Sequence, residues 1–240
     1  MLDIVYPVRP GDTNEELRFS LRSLAKFYPD HGTVWIVGHK PAWLTGVEVI
    51  PGGNPSRSAQ TNVYQNVLLA CRHSGLPDQF VIFNDDFFLT EPVTEFPDTY
   101  RSTLQEHLNL PRLRTTPKSW WRDSLLTTQV CLQAVGYENP LSYELHLPMP
   151  VVKDKMRATL EHFASVTPQN PPQWRTLYGN LHVTGAVKTE DSKVFRPGKV
   201  RRPVHSTTDQ SWRHYRTAFA KMFPTPSRFE SAGTQVRRRA

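Results

Sequence analysis

The segment Phe80-Val81-Ile82-Phe83-Asn84-Asp85-Asp86-Phe87-Phe88 is the most informative part of this sequence. Its first four residues carry no polar side chain, which is typical of a short strand that is buried on both faces. The run then meets an amide and two adjacent carboxylates before apolar residues resume. A buried carboxylate is costly unless it has a partner. Asp85 and Asp86 are therefore expected either to bind a ligand or metal ion at the carboxyl end of a strand, or to cap a turn or the next helix.

The segments before this strand alternate between strand-like and helical patterns. Strands are predicted at Leu2–Tyr6, Val34–Val37 and Val47–Ile50. One helix is predicted to begin with a capping box formed by Thr13 and Glu16, and to continue with Leu17, Leu21 and Leu24 as its apolar stripe. A second helix is predicted over Ser58–Cys71. The order β-α-β-β-α-β predicts an α/β fold with a mostly parallel sheet flanked by helices.

Ligands of open α/β sheets bind outside the carboxyl ends of the strands. We therefore expect one crevice surrounded by Tyr6–Asp12, the loop after Val37 and the turn Asn84-Asp85-Asp86. Tyr6, Asn84 and Asp85 are candidate ligand-binding residues at that crevice.

The second half of the chain is more helical and rich in proline. Helices are predicted at Tyr100–Asn109, Ser124–Val135, Val151–Ala164 and Asp209–Met222. The absence of a long linker favours a single domain over residues 1–230, in which an α/β half (1–98) is closed by a helical half (99–230). Residues 231–240 form a basic tail that is expected to be disordered.

Composition sets further limits. The chain has 240 residues, of which 38% are hydrophobic and 21% are charged, values typical of a globular protein with one sizeable core. It contains no apolar run of the ~20 residues that a membrane helix needs. It begins without the pattern of a signal peptide, so a cytoplasmic location is expected. Cys71 and Cys131 lie within apolar helical patterns and are expected to be buried, not paired or metal-bound.

The net charge of +7 raises the question of nucleic-acid binding. Much of the excess lies in Lys199–Arg202 and Arg237–Arg239, and no recognition helix or aromatic RNA-binding motif accompanies it. A substrate that bears phosphates explains the basic residues equally well, so nucleic acid is not the expected partner.

Several side chains are candidates for chemistry, each with a structural alternative. His146 lies in the stiff segment His146-Leu147-Pro148 and could act as a general base or have a structural role. Arg175 could hold a diphosphate or form a surface ion pair. Asp209 could help to bind a phosphate or cap the helix that follows it. Arg18 and Arg22 share one helix face and could contact a phosphate or remain solvated.

Three common motifs are absent. The sequence has no Gly-x-Gly-x-x-Gly after the first strand, no P-loop and no Gly-x-Ser-x-Gly nucleophile elbow. These absences disfavour dinucleotide binding, P-loop chemistry and serine-hydrolase chemistry.

Several segments, in order, resemble the Stealth family of sugar-1-phosphate transferases, which includes bacterial capsule polymerases and lysosomal-enzyme N-acetylglucosamine-1-phosphotransferase. The matching segments are Asp3–Tyr6, Asn14–Leu24, Trp35–Val37 with Pro41–Leu44, Asn84–Asp86 with Phe88, His146–Pro148 and Met222–Glu230.

The resemblance implies a GT-A/Rossmann-like fold and a set of roles. Asp85 and Asp86 would bind a divalent metal, Mg²⁺ or Mn²⁺, and the diphosphate of a nucleotide-sugar donor. His146 and Arg175 would be catalytic together with Asp86. Their positions in the predicted fold, together with the resemblance, assign donor binding to Tyr6, Arg18, Arg22, Asn84, Asp85 and Asp209.

The leading hypothesis is a metal-dependent transferase that moves a sugar-1-phosphate or a sugar to a hydroxyl group of a glycan or protein. The first alternative is a plain glycosyltransferase that releases a nucleoside diphosphate, for example one that modifies phage or cell-surface components. The second is a non-catalytic protein that binds a nucleotide or glycan. A phage-encoded protein in a bacterial host is one possible source of so short a chain.

Overall fold

The computed structural model describes residues 1–11, 13–53, 58–116 and 119–231. Asp12 of the predicted crevice, and residues 232–240 of the predicted tail with Arg237–Arg239, lie outside these described residues.

The first half follows the predicted alternation. Its elements are β1 (Asp3–Val8), α1 (Glu15–Phe27), β2 (Val34–Gly38), β3 (Glu48–Pro51), α2 (Ala59–Arg72), β4 (Gln79–Ile82) and β5 (Phe87–Leu89). The predicted order β-α-β-β-α-β is confirmed for the first six of them.

The second half combines short strands with helices. Its elements are β6 (Thr99–Tyr100), β7 (Ser102–Thr103), α3 (Leu104–Leu108), α4 (Pro111–Arg114), α5 (Trp120–Ala134), β8 (Leu141–Ser142), β9 (Met149–Val152), α6 (Lys153–Phe163), α7 (Trp174–His182), β10 (Val187–Lys188), β11 (Val204–Ser206) and α8 (Asp209–Met222).

The central sheet has the strand order β3-β2-β1-β4-β9. Strands β1 to β4 are parallel to their neighbours, and β9 pairs antiparallel with β4 at the edge. In the middle of the sheet, Ile4 of β1 lies opposite Val34 of β2 and Val81 of β4. The predicted mostly parallel α/β sheet is therefore confirmed, and a strand from the second half completes it.

Alternation along the strands divides the core between the two faces of the sheet. Val5, Phe80 and Ile82 belong to the apolar cluster on the face covered by α2, α6 and α7. Ile4 and Val81 belong to the cluster on the other face, which α1 covers. Both faces are buried, which explains why the strands of the sheet read as continuous apolar runs.

Helix α8 is held against the first half of the chain by aromatic packing. Phe88 of β5 stacks on Phe219 at 4.4 Å between ring centroids and on Trp212 at 5.4 Å. This packing fixes the segment that precedes α8 beside the Asn84–Asp86 turn.

Two local predictions are wrong. The helix predicted at Tyr100–Asn109 is two short strands followed by α3, because Thr103 and Glu106 form a capping box that starts the helix only at Leu104. The capping box predicted at Thr13 and Glu16 does not form. Helix α1 instead follows Asn14, whose backbone is left-handed (φ 41°), and Glu16 accepts a hydrogen bond from Thr207 at 2.6 Å.

Two further expectations can be compared with the structure. Cys71 and Cys131 are buried free thiols, as predicted. Among the described residues, no helix is both long and apolar enough to cross a membrane.

Candidate active site

A cleft lies at the carboxyl edge of the sheet, where the chain leaves β1 and β4. Strand β1 is followed in the chain by β2, which lies on one side of β1 in the sheet, whereas β4 lies on the other side of β1. The strand order therefore reverses direction between β1 and β4, which makes this edge the topological switch point of the sheet. The cavity has a volume of about 400 Å³. We call it the switch-point cleft, and it is lined by Pro7, Val8, Arg9, Pro10, Gly38, His39, Gly52, Gly53, Ala59, Asn62, Val63, Gln65, Asn66, Asn84 and Asp85.

Two glycines shape one wall of this cleft. Gly38 has φ +114°, and a Cβ added there would lie 2.3 Å from the carbonyl oxygen of Val8. A Cβ added to Gly52 would lie 2.8 Å from the Cα of Gly38. Only glycine allows these strand ends to approach each other so closely, and the cleft keeps its shape for that reason.

The carboxylates beside the cleft repel one another. Burial, and then the negative charge of Asp86, raise the pKa of Asp85 to about 6. Burial also raises the pKa of Glu16 to about 7, and the charges of Asp86 and Asp85 add to the shift. The edge of the sheet is therefore a region where a cation would be favoured.

Asp86 is already partnered by the protein. Its Oδ2 accepts hydrogen bonds from Lys193 Nζ at 2.5 Å and from Ser206 Oγ at 3.1 Å. Ser206 reaches it because β11 pairs antiparallel with β5, with Ser206 opposite Phe87. Asp85 differs, because its carboxylate accepts no hydrogen bond from another side chain among the described residues.

The carboxylates can be tested as metal ligands. The described part of the chain contains no group of three or more His, Cys, Asp or Glu side chains that could hold a metal ion. Mg²⁺, however, is commonly held by one or two carboxylates together with phosphates of the substrate. Asp85 lines the cleft with a carboxylate that no described side chain binds, and the two hydrogen bonds of Asp86 both fall on Oδ2. These two residues therefore fit a divalent ion that completes its coordination with a diphosphate.

His146 is held by a carboxylate that no sequence pattern indicated. Asp191 Oδ1 accepts hydrogen bonds from the backbone N–H of His146 at 2.9 Å and from its Nδ1 at 3.0 Å. Arg101 donates to Asp191 Oδ2 at 2.9 Å. Burial alone would raise the pKa of Asp191, but the hydrogen bonds and charge of His146, with the charge of Arg101, hold it well below its usual range.

The contact with Asp191 fixes the tautomer of His146. A proton on Nδ1 leaves Nε2 with a free lone pair, which is the state that a general base requires. About a quarter of the side chain of His146 is exposed, so a substrate could reach it.

The segment Asp191–Lys193 links His146 to Asp86. Asp191 binds His146, and Lys193, two residues later, binds Asp86. The ring of Phe87, directly after Asp86, also contacts the ring of His146 at 6.3 Å between centroids. The structure therefore brings His146 and the Asn84–Asp86 turn into one neighbourhood.

Arg175 is buried behind His146. Its guanidinium donates to the carbonyl oxygen of Leu147 at 2.9 Å and lies 5.7 Å from the centroid of the Phe87 ring. Burial lowers the pKa of Arg175 to about 10, although the charge of Glu144 opposes the shift. A second guanidinium nitrogen is buried without a hydrogen-bond partner among the described residues. Arg175 thus supports the loop that carries His146.

Three other candidates do not line the switch-point cleft. Tyr6 is fully buried and its hydroxyl hydrogen-bonds Ser20 at 3.0 Å. Arg18 and Arg22 both bind the carboxylate of Glu230, at 3.1 and 2.7 Å, and do not line the switch-point cleft.

Asp209 lies near the rim of the cleft. It is the first residue of α8, and its carboxylate binds Arg9, which lines the cleft, at 2.6 Å. Thr208 caps the helix by accepting a hydrogen bond from the N–H of Ser211. The structure therefore assigns the cap to Thr208 and leaves Asp209 exposed.

Comparison with solved structures defines the class of fold. The mostly parallel sheet flanked by helices matches the GT-A glycosyltransferase fold. One similar structure is that of the galactosyltransferase LgtC, crystallised with donor and acceptor sugar analogs. The likeness has a TM-score of 0.52 at 12% identity, and it covers 95% of this chain and 98% of that one. An active-site mutant of LgtC gives a TM-score of 0.48 at the same identity and coverage.

At this level of identity the likeness shows the fold alone. No protein-family model and no curated protein sequence matches the chain.

Several residues that the structure places at the site carry little signal in the sequence. Asp191 and Lys193 lie in the polar segment Thr189–Lys193, which has no distinctive spacing. His39 lies in the loop after Val37 that was expected at the crevice, whereas Asn62 and Asn66 of α2 line the cleft without a distinctive sequence signal.

Proposed function

We propose that this protein is a transferase that uses a nucleotide-sugar donor. The observation that carries the proposal is the juxtaposition of the switch-point cleft, the Asp85–Asp86 pair at its edge and the His146–Asp191 pair behind that edge. The GT-A fold is consistent with this function.

The nucleoside of the donor would occupy the switch-point cleft. Its volume of about 400 Å³ suits a ligand of that size. The amide of Gln65 lines the cleft, where it would meet the polar edge of a base. The glycine wall lets the ligand approach the backbone closely.

The diphosphate would lie at the Asn84–Asp86 turn. Asp85 and Asp86 would hold a Mg²⁺ or Mn²⁺ ion, which would neutralise the diphosphate and stabilise the leaving group. Arg9, at the rim, would add a positive charge on the same side.

His146 would accept the proton of the acceptor hydroxyl on Nε2, while Asp191 stabilises the imidazolium that forms. If a covalent intermediate occurs, the same nitrogen would instead be the nucleophile. Arg175 would act through the loop that it supports and not through direct contact with the substrate.

Two reactions fit this arrangement. Attack at phosphorus would transfer a sugar-1-phosphate and release a nucleoside monophosphate, as the Stealth resemblance implies. Attack at the anomeric carbon would form a glycoside and release a nucleoside diphosphate.

A panel of nucleotide sugars, incubated with Mg²⁺ or Mn²⁺ and candidate acceptors, tests the proposal. Release of UMP without UDP from a uridine donor would identify phosphoryl transfer, and release of UDP alone would exclude it. Turnover should vanish in Asp86→Ala while the fold remains intact by circular dichroism. Absence of donor binding and turnover across the whole panel would refute the proposal.

A further inference from the structure

A second, larger cleft opens beside the catalytic groups. Its volume is about 750 Å³. We call it the basic cleft, and it is lined by Arg101, Ser102, Glu106, Leu110, Arg112, Lys188, Thr189, Glu190, Asp191, Lys193, Phe195 and Arg201. Two of these residues, Asp191 and Lys193, are the ones that bind His146 and Asp86. The basic cleft therefore adjoins the side chains that hold His146 and Asp86, and its lining shares no residue with the switch-point cleft.

The cleft carries more positive than negative side chains. Five cationic and three acidic residues line it, and some of these opposite charges pair with each other. Arg101 binds Asp191 at 2.9 Å, and Arg201 lies 3.5 Å from Glu190. Glu106, the remaining acid, accepts the hydrogen bond from Thr103 that closes the capping box of α3.

Two cations form no direct salt bridge with a described residue. These are Arg112 and Lys188, although the charge of Asp191 acts on Arg112 and the charge of Lys188 acts on Glu106. Burial, and then the positive charge of Arg101, lower the pKa of Arg112, so its charge is held at a cost. Like charges held together in a concave site attract an anionic ligand.

The cleft also presents an aromatic face. Phe195 is 55% exposed, and the guanidinium of Arg112 lies 4.8 Å from the centroid of its ring. An exposed ring within a polar cleft can pack against the apolar face of a sugar. A cation beside that ring places a charge next to the packed group.

We propose that the basic cleft binds a sugar acceptor that bears an anionic group, a phosphate or a carboxylate, with this group against Arg112 and Lys188. The assignment rests on the proposed function, because it makes this cleft the acceptor side of the same site. The positive groups are concentrated in one cleft that contains Asp191, the partner of His146, and an exposed ring, which favours a charged saccharide over an extended nucleic acid.

Binding can be measured without turnover. The full chain, labelled with ¹⁵N, is titrated with glucose 6-phosphate, glucuronate and glucose, and amide shifts are followed by NMR. The two anionic sugars should produce saturable shifts in residues of the basic cleft, whereas glucose should not. Binding should weaken with added salt, since the contacts are electrostatic. Preference for the phosphate or the carboxylate would identify which anion the cleft favours.

A matched pair of variants tests the residues. Arg112→Gln with Lys188→Gln should weaken binding of the anionic sugars by about tenfold or more, because two charge-assisted contacts are lost. The control, Arg213→Gln with Lys221→Gln, removes the same charge from α8 and should leave binding unchanged. Equal binding of glucose, absence of saturable shifts, or equal losses in both double variants would overturn the proposal. A short single-stranded oligodeoxynucleotide that binds this cleft more tightly than the sugars would also overturn it.

The proposed function is checked on the same sample. Titration with a uridine nucleotide sugar and Mg²⁺ should shift residues of the switch-point cleft. Failure there, with anionic sugars still bound in the basic cleft, would count against the donor assignment alone. Donor binding without discrimination between charged and neutral sugars would count against the acceptor assignment alone.

Discussion

Replacing Asp191 by asparagine should abolish most of the activity while the protein still folds. The carboxylate makes two contacts with His146, to the backbone N–H and to Nδ1, and one with Arg101. An asparagine keeps one acceptor oxygen, which can still bind the backbone N–H of His146. Its amide nitrogen is a donor, so it favours a proton on Nε2 and removes the lone pair that a base needs.

The expected loss follows from the role of the base. Proton transfer by a positioned group is worth about 10²–10⁴ in rate, or roughly 3–5 kcal/mol of barrier. The side chain of Asp191 is only 9% exposed, so solvent cannot replace the lost charge. We expect kcat to fall by about 10²–10⁴ while KM for the donor changes little, because Asp191 does not line the switch-point cleft.

The assay is steady-state release of nucleotide from the donor at saturating acceptor, with the pH profile of kcat recorded for each variant. Asp78→Asn, a change at an exposed carboxylate, is the matched control and should retain full activity. His146→Gln should be no less impaired than Asp191→Asn, and the double variant should lose little more than either one, since the two residues act as a unit. An Asp191→Asn enzyme within about threefold of wild-type kcat, far short of the loss expected for a general base, would refute this reasoning.

Three other predictions concern stability and protonation. Glu230→Ala should lower the free energy of unfolding in urea by about 3–5 kcal/mol, because it leaves Arg22 buried without its carboxylate partner. The control Glu161→Ala, which breaks an exposed ion pair, should lower it by less than about 1 kcal/mol. Similar losses in the two variants would contradict the prediction that the buried pair matters more. Since the pKa of Asp85 is raised to about 6, the affinity for Mg²⁺ in the presence of donor should rise between pH 5 and 7, with release of protons. Asp85→Asn should remove this pH dependence. An affinity of the wild-type protein that does not change with pH in calorimetry would contradict the prediction. Burial, and then the charge of Arg201, lower the pKa of His205 to about 4. The contribution of neutral His205 to stability is therefore present above its ordinary pKa and is lost as the pH falls from about 6.5 towards 4, so Tm should fall in this range. His205→Asn should reduce this fall in Tm, and an unchanged dependence of Tm on pH would show that His205 does not cause it.

Much of the fold could be predicted because its signals are local. The apolar runs that become β1, β2 and β4 and the helical pattern of α2 are set by neighbouring residues. The expected crevice also follows from a general rule, since the carboxyl ends of parallel strands meet at one edge. Two helix starts were predicted wrongly: at α1 a tertiary contact with Thr207 takes Glu16, and at α3 the local capping box of Thr103 and Glu106 starts the helix later than predicted.

The roles of individual polar residues were less predictable. The sequence pattern treated Arg18 and Arg22 as free to contact a phosphate, but Glu230, more than 200 residues later, binds both of them. The sequence placed Tyr6 at the end of a predicted strand. Because successive side chains of a strand point to opposite faces of the sheet, its ring lies in the core.

By itself the sequence determined the strand and helix order, the burial of the sheet and the position of the Asn84-Asp85-Asp86 turn, because each of these depends on the periodicity of nearby side chains. Only the tertiary structure decided how the turn is used. Asp86 meets Lys193 across 107 positions of the chain, and His146 meets Asp191 across 45. Such contacts leave no periodic trace in a sequence, since they depend on where two distant segments are brought together by packing. That packing leaves the carboxylate of Asp85 without a hydrogen bond from another described side chain and places Asp191 against Nδ1 of His146.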